Sequence, residues 1–194
     1  MRSLSNIIHI IIASSFMIVQ PLFGQDNYQL DNNSTVKING TSTLHDWESV
    51  VENKEITFSA SVKDGVVTIE KLSLSVEVAS IKSGKEVMDN KTYEALKESD
   101  YPNITFLLNE PLTVNSNGKA IAKGTLSLAG VKKEVEVEGN AKANNNAQIA
   151  IEGSYTLNMK DYNITPPTAM FGTIKTGEEI TVIFDLSLTK APNN

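Results

Sequence analysis

The amino-acid sequence predicts an all-β fold, an antiparallel barrel of about eight strands with one short helix. Apolar and polar residues alternate with a period of two along most of the chain, which indicates strands with one buried face. Turn dipeptides that contain glycine separate these segments, so neighbouring strands should pair antiparallel. A meander of about eight strands exposes two edges unless the sheet closes, and closure into a barrel removes both.

The amino-terminal segment, residues 1–24, has the order of a secretory signal peptide. Arg2 is followed by an apolar run over residues 7–19 and then by the small residue Gly24. Because this run is shorter than the roughly 20 residues of a membrane-spanning helix, a retained anchor is the less favoured alternative. We expect cleavage after Gly24, which leaves one domain over residues 25–194 in an exported protein.

The composition limits the classes of partner. The chain has 194 residues, no cysteine and a formal net charge of −6, which excludes disulfide bonds and a lipidated cysteine. Such acidity argues against binding to nucleic acid or to an anionic membrane surface through a basic patch. We expect no nucleic-acid partner and no stable membrane insertion, and the sequence leaves a homodimer open.

Several segments have the alternation of a half-buried strand. Their apolar residues mostly occupy every second position, and Ser, Thr, Lys and Glu lie between them. The expected inward rows are Ile56, Phe58, Ala60 and Val62; Leu72, Leu74, Val76 and Val78; Ile104, Phe106 and Leu108; Val131, Val135 and Val137; Ile149, Ile151, Tyr155, Leu157 and Met159; and Ile180, Val182, Phe184, Leu186 and Leu188.

Four dipeptides mark the predicted turns between strands. Asn-Gly and Asp-Gly readily adopt the positive φ angles of tight hairpins. The dipeptides are Asp64-Gly65, Asn117-Gly118, Ala129-Gly130 and Thr176-Gly177.

One segment departs from the alternation and predicts a helix. Tyr93 and Leu96 lie three residues apart among good helix formers, with Asp89 as the candidate N-cap and Tyr101-Pro102 as the stop. We expect a short helix that packs Tyr93 and Leu96 on one end of the barrel, as a lid or plug.

The long connection from Asn158 to Gly177 carries apolar residues where loops are mostly polar. Such side chains must pack either on the end of the barrel or on a bound apolar ligand. We expect a flap over a cavity mouth in which Tyr162, Met170 and Phe171 touch the ligand. Pro166-Pro167 stiffens this segment and lowers the entropy lost when it closes.

Four sequence blocks follow one another from about Thr35 to Leu188. They are "GTSTLHDWE", "VEVASIKSGKEVMDNKTYEALKESDYPNITF", "GTLSLAGVKKEVEVEG" and "GEEITVIFDLSL". Their order resembles the YceI-like family of exported bacterial proteins. In that family a segment like "STLHDWE" ends an early strand, and a Ser-rich turn like that of Ser80 to Gly84 leads to a helix whose start resembles Asp89. A Tyr-Pro-x-Ile-x-Phe strand follows, which Tyr101, Pro102, Ile104 and Phe106 match.

The resemblance implies a lipocalin-like, eight-stranded antiparallel barrel whose elongated apolar cavity holds a long-chain isoprenoid or similar amphiphile. It also implies a periplasmic or secreted bacterial protein. Apolar wall residues hold the ligand in that family, so the resemblance assigns no diagnostic residue. The segment from Asn158 to Gly177 departs from the shorter motif common in members that bind polyisoprenoids.

His45 and Trp47 stand out because no other histidine or tryptophan follows residue 24. Catalysis would require His45, Asp46 and Glu48 to converge, but in a strand residues 46 and 48 share a face and residue 45 points the other way. We expect no enzyme, no metal site and no cofactor other than a bound isoprenoid or other lipid. Either Trp47 seals a barrel end with its indole hydrogen-bonded, or the pair contacts a ligand headgroup at the cavity mouth.

Small inward residues favour a cavity over a barrel filled by side chains. Ala60, Ala120, Ala122, Gly124 and Gly153 leave room, unless they serve only strand coiling or helix packing. The expected ligand-binding residues are His45, Trp47, Phe58, Tyr93, Phe106, Tyr155, Tyr162, Met170 and Phe171.

Two functions from different classes remain. The first is a periplasmic carrier that holds a hydrophobic small molecule, an isoprenoid or a fatty-acid-like lipid, without covalent chemistry. The alternative is a packed-barrel module for envelope interaction or stress, whose loops bind a partner without a lipid ligand. Large apolar loop residues such as Met170 and Phe171 would serve either function.

Overall fold

The structure, a computed structural model, describes residues 26–64, 66–114, 118–144 and 148–192. The signal peptide predicted for residues 1–24 lies outside these ranges. The strands are β1 Asp26–Leu30, β2 Thr35–Ser42, β3 Trp47–Val51, β4 Lys54–Lys63, β5 Val66–Glu77, β6 Ile81–Lys82, β7 Asn103–Leu108, β8 Leu112–Thr113, β9 Lys119–Leu128, β10 Val131–Ala143, β11 Ile149–Asn158, β12 Thr168–Ala169 and β13 Ile174–Lys190; the helix α1 is Glu86–Leu96, and short 3₁₀ turns span Val78–Ser80, Met159–Tyr162 and Met170–Gly172.

The sheet closes into an antiparallel barrel of eight strands, as predicted. Hydrogen bonding follows the order β1-β4-β5-β7-β9-β10-β11-β13, and β13 pairs with β1 to complete the ring. Tyr28 of β1 lies opposite Phe58 of β4 on one side and Lys190 of β13 on the other. The first strand is therefore the seam that joins the two ends of the meander.

Three of the barrel strands are interrupted by short breaks. β1 continues into β2, β3 into β4 and β5 into β6, and each pair of segments stays in one antiparallel ladder. At the first break the Asp31 carboxylate accepts hydrogen bonds from the Ser187 and Thr189 hydroxyls, at 2.9 and 2.7 Å. Side chains thus replace the ladder hydrogen bonds where the backbone leaves the sheet.

The predicted inward rows are confirmed except at one residue. Val62, expected to face inward, is exposed near the end of β4, where the barrel interior ends. Every other residue of these rows lines the cavity described below or packs in the core.

The turn dipeptides have different outcomes. Ala129-Gly130 is a two-residue hairpin with φ angles of 49° and 83°, as predicted. The prediction of a turn at Thr176-Gly177 is wrong, because both residues lie within β13, a strand of 17 residues. Gly177 serves close strand approach instead, since a Cβ there would lie 2.3 Å from the Thr41 hydroxyl. Asp64-Gly65 and Asn117-Gly118 each include a residue outside the described ranges.

Helix α1 begins earlier than predicted. Its N-cap is Lys85, so the assignment of Asp89 as N-cap is wrong. Asp89 is buried in the first turn, and its carboxylate accepts hydrogen bonds from the Ser83 amide and hydroxyl, at 2.7 and 2.6 Å. The carboxylate therefore joins the first turn of α1 to Ser83, in the segment between β6 and the helix. The sequence prediction took Asp89 for the N-cap because it did not foresee this contact.

The predicted packing of Tyr93 and Leu96 on the barrel is confirmed. The Tyr93 hydroxyl lies 2.9 Å from the Ala79 carbonyl and accepts a hydrogen bond from the Lys82 ammonium at 2.6 Å, which raises the pKa of Lys82. Lys97 ends the helix in the left-handed conformation, with φ 56°. These contacts fix α1 at one end of the barrel.

We expect Asp89→Ala to lower the free energy of unfolding by about 2 kcal/mol, because two donors of the half-buried Ser83 lose a charged, buried acceptor. Urea denaturation followed by circular dichroism measures this change in the free energy of unfolding. Glu86→Ala is the matched control, since Glu86 is exposed in the same helical turn, and it should change stability by less than about 0.5 kcal/mol. Equal losses in the two variants would contradict the anchoring role of Asp89.

Candidate functional site

The barrel contains an apolar cavity of about 530 Å³. All eight barrel strands contribute inward side chains to it, and α1 and two connections complete it at one end. This volume lies within the range of roughly 300–1,000 Å³ typical of small-molecule sites.

One end of the barrel is closed by packed side chains, which we call the floor cluster. Its members are Tyr28, Phe58, Ala60, Val67, Ile69, Val114, Ala141, Ile149 and Leu188. The rings of Tyr28 and Phe58 meet edge to face at 5.8 Å between centroids. Ile69 and Ala141 also line the cavity, so they form its floor. The barrel is therefore filled at one end and hollow above it.

The opposite end is open, and we call it the mouth. It is formed by three segments, residues 42–47 between β2 and β3, residues 85–92 of α1, and residues 164–176. All three segments contribute lining residues. A ligand must enter the cavity through this end, because the floor cluster blocks the other.

Aromatic side chains take up part of the space above two wall glycines. A Cβ on Gly124 would lie 2.3 Å from the Phe106 ring, and one on Gly153 would lie 2.6 Å from the Phe184 ring. These two glycines are therefore not lining residues themselves, and the room that they leave holds the two rings.

The alanines of the same prediction differ among themselves. Ala120 and Ala122 line the cavity and do widen it, whereas Ala60 is packed in the floor cluster. The short side chains of β9 at these two positions therefore leave space inside the barrel.

Trp47 lies at the mouth and is held by its own strand pair. It is opposite Gly40 in the ladder, and a Cβ on Gly40 would lie 2.2 Å from the indole. The indole N–H donates to the Thr41 carbonyl at 3.0 Å. The hydrogen-bonded indole expected from the sequence is present, and the same side chain lines the cavity.

His45 also lines the mouth, but it is exposed. Its Nδ1 lies 2.6 Å from the Asp46 carbonyl oxygen. Glu48 points to the outer face, where it pairs with Lys37 at 3.0 Å. His45, Asp46 and Glu48 therefore do not converge on one point.

The connection from Asn158 to Gly177 is more ordered than a loop. It holds the 3₁₀ turn Met159–Tyr162 and a small hairpin in which β12 pairs with the start of β13. The Lys160 ammonium donates to the Glu178 carboxylate, which lowers the pKa of Glu178 and joins the turn to β13. Burial raises the pKa of Tyr162, whose ring packs beneath the Lys133 ammonium at 5.5 Å.

Four of the predicted ligand-binding residues line the cavity, namely His45, Trp47, Phe106 and Tyr155. The structure does not bring the others to its wall. Phe58 belongs to the floor cluster, Tyr93 is hydrogen-bonded between α1 and the end of β5, Tyr162 is buried in the core beneath the connection, and Met170 and Phe171 are exposed at the tip of the β12–β13 hairpin.

Sequence reasoning missed two groups of lining residues. Met88, Lys91, Thr92 and Ala95 lie on one face of α1, and their spacing of three and four residues is the signal that could have identified them. The second group comes from the long connection, where Met159 was already in a predicted inward row but Ile164, Pro167, Thr168, Ala169, Ile174 and Thr176 were not. The connection thus lines the mouth, but with other side chains than expected.

Lys85 and Lys91 are the cationic residues of the cavity lining, and no aspartate or glutamate of the described chain belongs to it. Neither ammonium group forms an ion pair with another described residue. Within the described ranges there is also no group of three or more His, Asp or Glu side chains that could hold a metal ion. The site can bury an apolar chain and meet a polar or anionic group at its mouth.

Comparison with known proteins supports this description. The sequence matches the model of the YceI-like domain over residues 28–188. No curated protein matches the chain. None of the helices in the described part of the chain has the length and apolar character needed to span a membrane.

Similar solved structures share the fold. BcnA of Burkholderia cenocepacia superposes with a TM-score of 0.67 at 16% identity, covering 82% of this chain and 99% of BcnA. A polyisoprenoid-binding domain from Saccharophagus degradans, implicated in plant cell wall breakdown, gives 0.61 at 16% identity, covering 86% and 99%. The YceI protein of Campylobacter jejuni gives 0.58 at 15% identity, covering 75% and 85%.

We expect Gly40→Ala to displace the Trp47 indole, because the added methyl group would occupy the position of the ring. Overpacking of this kind costs about 1–3 kcal/mol of stability. The measurement is the emission spectrum of Trp47, the only tryptophan, together with urea denaturation. Thr35→Ala, at an exposed position of the same strand, should change neither. An unaltered spectrum in Gly40→Ala would show that the ring does not depend on this glycine.

Proposed function

The chain belongs to the YceI-like family, and we propose that it binds and carries a long-chain amphiphile, such as an isoprenoid or a fatty-acid-like lipid, held without covalent chemistry in the barrel cavity. The observation that carries the proposal is the 530 Å³ apolar cavity above a sealed floor. Such a space supports a carrier over a barrel that is only a scaffold. The name of the Saccharophagus degradans domain supports an isoprenoid as the first class of ligand to test.

The shape of the cavity sets the orientation of the ligand. Its apolar chain lies along the barrel with the end above Ile69 and Ala141, because the deep walls are almost entirely aliphatic. Its polar group lies at the mouth beside His45 and Trp47, where Lys85 and Lys91 are the charged neighbours. Phe106 and Tyr155 contact the chain between these ends.

Burial of the chain supplies the affinity. Each buried methylene contributes about 0.8 kcal/mol, so a chain of about fifteen carbons contributes on the order of 10 kcal/mol before the entropic costs of binding. No reaction is needed for this function, and we propose that the protein is not an enzyme and requires no resident cofactor.

Native mass spectrometry of the purified protein, followed by extraction with organic solvent, tests whether it retains a cargo. A bound mass that is released by extraction and identified as an isoprenoid or fatty acid is the expected result. A protein that carries no such mass, and that binds neither geranylgeraniol nor oleate after extraction, would overturn the proposal.

We expect Ala122→Phe to weaken the binding of geranylgeraniol to the extracted protein at least about tenfold, because its ring would project from β9 into the cavity. Titration followed by Trp47 fluorescence or calorimetry measures this affinity. The matched control is Ile121→Phe, which places the same ring on the outer face of β9, where Ile121 is exposed. Equal affinities in both variants would place the ligand outside the barrel.

We further propose that the protein is exported and that residues 1–24 are removed. Intact mass of the protein recovered from the periplasm of a bacterial host should correspond to a chain that begins at Gln25 or within a few residues of it. A protein that still begins at Met1 would contradict export by a cleaved signal peptide.

A further inference from the structure

The most exposed large apolar side chains of the described residues are Leu44, Val87, Met170 and Phe171. Their exposed fractions are 66%, 72%, 69% and 111%, whereas the other exposed large apolar residues lie between 38% and 55%. Scattered half-exposed apolar residues are ordinary on protein surfaces, but fully exposed ones gathered at one place indicate a contact surface.

All four residues lie at the mouth of the cavity, and together we call them the rim. Leu44 and Val87 are themselves lining residues, from the β2–β3 connection and from α1. Met170 and Phe171 form the tip of the β12–β13 hairpin, whose arms Ala169 and Ile174 line the cavity.

Hydrogen bonds join two parts of the rim, the β2–β3 connection and the β12–β13 hairpin. The Thr43 amide donates to the Lys175 carbonyl at 3.0 Å, and the Lys175 amide donates to the Thr43 hydroxyl at 3.1 Å. Thr43 precedes Leu44, and Lys175 lies in the hairpin that carries Phe171. The exposed side chains of both segments are therefore held at the same side of the mouth.

The backbone holds the hairpin tip away from the barrel. Met170 and Phe171 have φ angles of 51° and 55°, a left-handed conformation that is unfavourable for residues with a Cβ, and Gly172 follows at 86°. A tip that merely closed the barrel would turn Phe171 inward. Here the ring protrudes into solvent instead.

The charges beside this rim are mixed. Lys85 and Lys91 line the mouth without an ion pair among the described residues, while the carboxylates of Asp46 and Glu86 lie at the same end but outside the cavity lining. The unpaired ammonium groups complement lipid phosphates. Apolar insertion supplies most of the affinity in such an arrangement, and the two lysines add to it on anionic lipid.

We infer that the mouth docks on the surface of a lipid bilayer, with Leu44, Val87, Met170 and Phe171 inserted among the headgroups and Lys85 and Lys91 directed to phosphates. The inference rests on the proposed function, since a lipid cargo must leave a bilayer to reach the cavity. Insertion of the rim lets its chain pass from bilayer to barrel without crossing water.

The shape of the rim favours a bilayer over a protein partner or a second copy. Protein interfaces bury well-packed central residues on complementary surfaces. A narrow hairpin tip with Met170 and Phe171, and Val87 on a separate helix, offer no such continuous surface. A fluid bilayer accommodates separate protruding side chains, and aromatic side chains favour its interface.

Flotation with vesicles tests the inference. Protein expressed from the full chain is used, with its mass measured so that the state of residues 1–25 is the same in every variant. Vesicles of phosphatidylethanolamine with phosphatidylglycerol, and of phosphatidylcholine alone, are the two probes. We expect the double variant Met170→Ser with Phe171→Ser, which we call the rim variant, to partition to both kinds of vesicle at least about tenfold more weakly than wild type.

The matched control is Val62→Ser with Val66→Ser, two exposed apolar residues at the closed end of the barrel. This control should partition as wild type does. Lys85→Ala with Lys91→Ala should weaken binding on phosphatidylglycerol vesicles several-fold and leave phosphatidylcholine binding unchanged. Equal losses in the rim variant and the Val62/Val66 control, or wild-type binding by the rim variant, would overturn the inference.

Two further measurements separate the alternatives. Ala122→Phe should still float with vesicles, and the rim variant should still bind geranylgeraniol in solution but take it up more slowly from vesicles. If cargo binds while the rim variant floats as wild type, the docking surface is wrong and the carrier function stands. A concentration-dependent dimer in sedimentation that the rim substitutions abolish, without vesicle binding by wild type, would assign the rim to a second copy and overturn the inference.

Discussion

The rest of the structure depends on the closure of the barrel at the seam between β1 and β13. Tyr28 connects three features of this seam, since it lies between Phe58 and Lys190 in the ladders and packs edge to face on the Phe58 ring. The Asp31 carboxylate continues the seam by binding two hydroxyls of β13. Without this first strand, β4 and β13 would present unpaired edges, and the apolar interior would open to water. Closure and the sealed floor are therefore consequences of the same few residues.

The cavity exists because the interior is filled unevenly. Large side chains close the interior at the floor, whereas higher up Phe106 and Phe184 lie against glycines of neighbouring strands. A ring that rests on a glycine occupies the wall instead of the lumen, so aromatic residues are accommodated without closing the barrel. Ala122 adds width at the same level. The volume for a ligand thus depends on pairs of residues from adjacent strands.

The sequence predicted the closed barrel, and nearly every residue that it assigned to an inward face lies there, because alternation with period two directly reports which face of a strand is buried. It did not reveal β1, whose five residues are too short for a periodic signal, or the glycine contacts, which require knowledge of which strands are neighbours. Four candidate ligand residues line the cavity, while Phe171 is exposed, since nothing in the local pattern indicates its left-handed backbone. The candidates were chosen mainly for their aromatic side chains. Aromatic character does not distinguish a residue of the core, such as Phe58, from one of the cavity wall, such as Phe106, or of the surface, such as Phe171.

The two ends of the barrel differ in their connections, and this asymmetry separates stability from binding. At the floor, only two to five residues of the sequence separate the end of β4 from the start of β5, β8 from β9, and β10 from β11. At the mouth, by contrast, the connections include α1 and the segment from Asn158 to Thr173, which has its own turn and hairpin. A closed ladder fixes the strands whatever their connections contain, so the mouth can vary in length and apolar character without loss of the barrel. Ligand access and surface contacts are therefore encoded where the alternation of the strands ends.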